Sequence, residues 1–119
     1  MAESIMVLIT RGPYGTEDAF AGLTLALASK VSHYVPRVGV LLVGDGTLNG
    51  LWAQSSEAID MPTNLEYLLD LLDLDVEVCC VKEDLRSRVG GMKILDGIKF
   101  VDWAEARRMM EQYQLVTTF

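Results

Sequence analysis

Apolar residues fall along this chain in alternating blocks of two kinds. Residues 4–10 (SIMVLIT) and 37–44 (RVGVLLVG) are nearly unbroken hydrophobic runs, and 75–81 (DVEVCCV) is a third strand-like run. Short runs of this kind, bounded by Gly, Pro and Asp, read as strands buried on both faces. Between them the period changes. Over 16–32, Phe20, Leu23, Leu27 and Val31 recur at helical spacing. Thr16 stands where it can cap that helix, and Glu17 and Asp18 suit its positive end. Residues 64–74 (NLEYLLDLLDL) follow Pro62 and Thr63 and place Leu65, Leu68, Leu69 and Leu72 on one helical face.

The remaining segments are shorter. Residues 51–59 (LWAQSSEAI) read as a short helix, and 82–90 (KEDLRSRVG) as a short helix or turn closed by Gly90 and Gly91. Residues 97–102 (GIKFVD) contain an extended piece. Asp102 and Glu105 form a capping box for a helix over 103–113, and 115–119 (LVTTF) ends as a strand. Strands alternating with helices predict a single α/β domain over 1–119. Its expected form is a three-layer sandwich: a mostly parallel, roughly five-stranded sheet covered by helices on both faces. Working sites in such sheets lie beyond the carboxyl ends of the strands. That singles out three loops, 11–18 (RGPYGTED), 44–50 (GDGTLNG) and 79–88 (CCVKEDLRSR).

Composition narrows the function classes. Half of the 119 residues are hydrophobic, enough for a core without staples, and the net charge is −7 with a pI near 4.5. That balance argues against a nucleic-acid surface. No apolar run approaches the ~20 residues that span a bilayer, so no membrane association is expected. The opening residues have no basic stretch ahead of the apolar run, so no signal peptide is read and a cytoplasmic location is expected. Two cysteines without an export signal suggest free thiols, and their adjacency disfavours a disulfide between them. With one histidine and no second cysteine pair, neither a metal nor another cofactor is expected.

The candidate chemistry centres on Cys79 and Cys80. Neighbours on a strand point to opposite faces, so Val76, Val78 and Cys80 share one face and Asp75, Glu77 and Cys79 the other. Cys80 lies nearer the strand end, where a helix N-terminus with Lys82, Arg86 and Arg88 would stabilise a thiolate and lower its pKa. The alternative is that both cysteines are small core hydrophobes, the usual fate of a free thiol. Glu83 and Asp84 offset the basic side chains, so the charge cluster also reads as a solvated turn. The 11–18 loop can offer backbone N–H groups to an anion, or it is a tight turn before a capped helix; it has neither the Walker pattern nor GxGxxG. Asn49 is either polar lining or a helix cap, His33 a surface loop residue, and Trp52 and Trp103 either interface anchors or core or half-buried packing.

Taken in order, the opening strand, GPYGTEDA, an apolar helix, a second strand, Cys80 with Val81, Leu85 and Arg86, and the terminal LVTTF resemble the DsrE/DsrF/DsrH-like family, most closely its DsrE/TusD-type subunits. The resemblance spans nearly the whole chain. It implies a cytoplasmic sulfur-relay protein, a persulfide sulfurtransferase if active, working between sulfur-donor and sulfur-acceptor proteins. It also implies a homo-oligomer, or a hetero-oligomer with related subunits. The family's sulfur-carrying cysteine maps onto Cys80, while Cys79 has no counterpart. Gly12, Tyr14, Gly15 and Thr16 would form the adjoining wall, and Lys82 or Arg86 would steady the anion. Where the family tends to have small residues after the cysteine, this chain has Lys82, Glu83 and Asp84. A carrier of this kind requires an accessible Cys80 with a lowered pKa. The alternatives are a non-catalytic oligomeric subunit, a small-anion binding protein of the same fold, or a redox sensor built on the vicinal pair.

Overall fold

The computed structural model describes residues 3–12, 17–33, 35–51, 64–89 and 94–119. Its frame is a five-stranded sheet. The strands are β1 (Ser4–Ile9), β2 (Arg37–Leu42), β3 (Glu77–Val81), β4 (Lys99–Val101) and β5 (Leu115–Thr118), in spatial order β4-β3-β2-β1-β5. Each ladder between these strands is parallel. Helices α1 (Asp18–Val31), α2 (Asn64–Asp73), α3 (Lys82–Val89) and α4 (Trp103–Glu111) alternate with the strands. The three-layer α/β sandwich expected from the alternation is the one adopted.

Alternate strand residues feed two separate cores, as the pleat requires. On one face Val7, Ile9, Val40, Leu42, Val78 and Cys80 pack with Leu23 of α1 and Leu68 and Leu71 of α2. On the other, Met6, Leu41, Cys79 and Val101 pack with Ala106 of α4 and Tyr113. β5 lies beside β1, where Thr10 donates from its backbone N–H to the Phe119 carbonyl at 2.7 Å. No helix among the described residues is long and apolar enough to cross a membrane.

Several local details differ from the periodicity. α1 buries Ala19, Gly22, Leu23 and Ala26, while Val31 is 57% exposed. The small residues decide the contact, because a Cβ on Gly22 would crowd Ile9 and Phe119. In α2 the buried pair is Leu68 and Leu71, and Leu69 is 44% exposed, so the apolar face is rotated from the predicted one. β3 begins two residues later than its hydrophobic run, because Asp75 turns the chain with φ 61°. Residues 44–50 form a 3-10 helix (Gly44–Gly50) rather than an open turn. It presses so closely on the end of β1 that a Cβ at Gly46 would overlap the Ile9 carbonyl. At α4 the Asp102 carboxylate accepts from Glu105 N–H at 2.7 Å, the cap read from the sequence. α1 has Glu17 at its N-cap position with no side-chain cap bond, and Leu51, read as opening a helix, pairs with Ile94 in an isolated bridge. Thr16, the rest of the helix read over 51–59, Trp52, Pro62, Thr63, the Gly90–Gly91 closure and the side chain of Leu65 lie outside the described residues.

Candidate functional site

Three connections leave the carboxyl ends of β1, β2 and β3 side by side, and polar side chains tie them together. Asn49, fully buried in the 3-10 helix, donates from Nδ2 to the Arg11 carbonyl at 2.8 Å and to the Gly46 carbonyl at 2.9 Å. Its Oδ1 accepts from Asn64 Nδ2 at 2.8 Å, which joins the start of α2. Buried Thr47 donates to the Gly44 carbonyl at 2.8 Å. Buried amides satisfied in this way fix the loops, since an unpaired one would be expensive to bury. For Asn49 the sequence offers polar lining or a helix cap; the role observed is neither, but a buried brace between the loops.

From β3 the chain passes directly into α3, and Asp84 and Arg88 bind it to the 3-10 helix. Asp84 Oδ2 accepts from Gly44 N–H at 2.7 Å, and Arg88 Nε meets Asp45 Oδ1 at 2.7 Å. Asp84 Oδ1 also accepts from the Trp103 indole N–H at 3.1 Å. Trp103 is 38% exposed, so neither pure core packing nor a fully open anchor describes it.

The two thiols lie on opposite faces, as strand geometry predicted, with Cys80 in the α1–α2 core and Cys79 in the α4 core. Both are free and buried. Here the expectation of an open, acidic Cys80 is corrected. Its exposure is 0%, and its pKa is pushed up to about 12, first by burial, then by the charge on Asp84 and by Cys79. Burial disfavours the charged form, and the cations expected to counter it do not. Lys82 is half-buried and Arg86 exposed on α3, and among the described residues no hydrogen bond joins either to the sulfur. The thiol's own contact is as a donor, to the Val81 carbonyl at 4.0 Å, the outer limit for sulfur. Cys79 is raised to about 11, again first by burial, then by Glu77, with Lys99 pulling the other way.

The other predicted site residues divide. Gly12 is half-buried beside the 3-10 helix, where a Cβ would stand 3.9 Å from the Asp45 carbonyl oxygen. Tyr14, Gly15 and Thr16 lie outside the described residues. The structure thus brings Cys80, Gly12 and Lys82 to one end of the sheet, with Arg86 on the outer side of α3. Sequence reasoning missed the bracing roles of Asp84, Arg88 and Asn64. Asn64 had a signal, an amide residue opening a leucine-rich helix; Asp84 registered only as a charge offsetting its neighbours.

A parallel α/β sheet with a cysteine at its carboxyl end, braced by three polar loops, defines the class. The DsrE/DsrF-like family matches residues 3–106, and the chain belongs to that family. Among solved structures it is similar to the ychN protein from E. coli, with a TM-score of 0.89 and 23% identity over 98% of this chain and 99% of that one. It is also similar to BT1422, a conserved protein of unknown function from Bacteroides thetaiotaomicron. There the TM-score is 0.67 and the identity 12%, over 98% of this chain and 95% of that one. Among curated proteins, none matches the sequence. The likenesses to solved structures show the fold, and the family ties that fold to sulfur-relay proteins.

Proposed function

We propose that the protein carries sulfane sulfur on Cys80, taking it from a donor protein's persulfide and passing it to an acceptor thiol in the cytoplasm. One observation carries the reading: in a member of this family, a cysteine lies one residue from the carboxyl end of an inner strand of a parallel sheet, with a helix starting two residues on. The chemistry is redox-neutral thiol exchange. The Cys80 thiolate attacks the outer sulfur of R–S–SH and forms the new S–S bond. The bond to the donor sulfur breaks, and the departing thiolate takes up a proton. The products are Cys80–S–SH and R–SH. An acceptor thiolate then attacks the same outer sulfur and restores the Cys80 thiol. No metal or general base is required, but the thiol must ionise and be reached. The buried, neutral Cys80 is therefore the closed form of the carrier, and Lys82 is the nearest cationic residue along the chain to steady the persulfide once it opens. Gly12, with Tyr14, Gly15 and Thr16, would border the opened site, and Arg86 would meet the docking partner.

The complete burial of Cys80 favours a second reading, a non-catalytic subunit of an oligomer with copies of itself or with related subunits. Intact-mass spectrometry after exposure to a persulfide donor separates the two. The carrier gains about one sulfur atom per chain, loses the gain in Cys80→Ser and keeps it in Cys79→Ser. A wild-type chain that stays unloaded while a known carrier loads beside it leaves the subunit reading.

A further inference from the structure

Cys80 is closed from outside, and the closure has a fastening. Asp84 stands on the first turn of α3, and its two carboxylate oxygens serve two different elements. Oδ2 holds the Gly44 N–H of the 3-10 helix and Oδ1 the Trp103 indole N–H of α4, from residues 40 and 19 positions away. Glu83 beside it accepts from the Trp103 backbone N–H at 3.4 Å. Leu85, the next residue, is 2% exposed and belongs to the same core as Cys80. A two-turn helix with little helical stability of its own is thus held down by charge-assisted hydrogen bonds.

We infer that Asp84 is the positioning residue that keeps the first turn of α3 shut over Cys80, and that release of its two hydrogen bonds lets a reaction partner reach the thiol. Its purpose rests on the sulfur-carrier reading; its geometry does not. Trp103 is partly exposed, so a docking protein that offers the indole N–H another acceptor competes directly with Asp84. The Asp84 charge also acts on the sulfur itself, favouring the neutral thiol while the turn is closed. The other charged groups at this junction are Lys82, Glu83 and Arg88 on α3, Asp45 on the 3-10 helix and Asp102 at the start of α4.

The test is the rate at which iodoacetamide alkylates Cys80 in a Cys79→Ser background, followed by intact mass across a pH series and at low urea. Asp84→Asn is expected to raise the rate at pH 8 by about tenfold or more, as losing a charge-assisted bond implies. It should also move the alkylation midpoint to lower pH, because a negative neighbour is gone. Trp103→Phe removes the indole donor without changing charge, and is expected to raise the rate about fivefold with the midpoint unmoved. Asp84→Glu, which restores an acceptor, should remain slow. The faster rates should depend weakly on urea, the mark of local rather than global opening. Rates within twofold of the parent in both Asp84→Asn and Trp103→Phe overturn the inference, as does a rise with the full urea dependence of unfolding. If Asp84→Asn does not fold, Trp103→Phe decides alone. A variant that alkylates fast yet never accepts sulfur counts against the carrier reading only.

Discussion

Cys79 and Cys80 share a strand, a burial class and a raised pKa, yet they inhabit different surroundings. Behind Cys79 lies a face with charges of both signs near it: Glu77 and Glu105 oppose ionisation, and Lys99 assists it. The Tyr113 ring closes that face, and the Arg37 guanidinium sits 4.2 Å from its centre. Behind Cys80 lies hydrocarbon from three helices, with Asp84, then Cys79, opposing ionisation by charge. Position on the strand therefore does not set reactivity. On the opening inferred above for α3, what matters is which lid is released, and by what means.

The largest expected effect comes from removing each lid in turn. Leu85→Ala and Tyr113→Ala each empty a filled site, and a loss of about 2–5 kcal/mol is expected for either. Urea denaturation gives that figure, and alkylation mapping sharpens the contrast. Leu85→Ala should hasten labelling of Cys80 over Cys79, and Tyr113→Ala the reverse. Equal labelling of both thiols in either variant would break the division into two independent faces.

A smaller effect lies in the alkaline range. Both thiols have folded pKa values above the ordinary 9.0, about 11 and about 12, so folding favours their neutral forms. That contribution is complete below about pH 9 and is lost as pH rises through the folded values, since the unfolded chain ionises first. Urea midpoints should accordingly fall between pH 9 and 11. Cys80→Ala should flatten that fall more than Cys79→Ala, because its shift is the greater. The smallest effect is on the Cys79 side. Arg37→Ala removes the contact with Tyr113 and should lower stability by about 0.5–1 kcal/mol with no change in Cys80 alkylation.

Much of the fold was legible because burial on both sides of a parallel sheet writes itself into continuous apolar runs. β1 and β2 followed from such runs, and the Asp102 cap from a local pattern. The errors have local causes too. The leucine helix has apolar residues on more than one side, so its period did not tell Leu69 from Leu71. Asp75 sits in a hydrophobic run but adopts a left-handed backbone, which the run does not reveal. The buried state of Cys80 stood in the sequence only as the alternative reading, a small core hydrophobe. Local reasoning saw a helix start and three nearby cations. The burial that outweighs them comes from a core to which α1, α2 and Leu85 of α3 all contribute, and the hydrogen bonds on Asp84 come from Gly44 and Trp103.

The placement of β5 against β1 has a consequence for synthesis. A ribosome delivers β1 first, yet that strand has both its neighbours only after residue 118 has left the exit tunnel. Until then one flank of the nascent sheet stays unsatisfied, an open invitation to chaperones or to a sister chain.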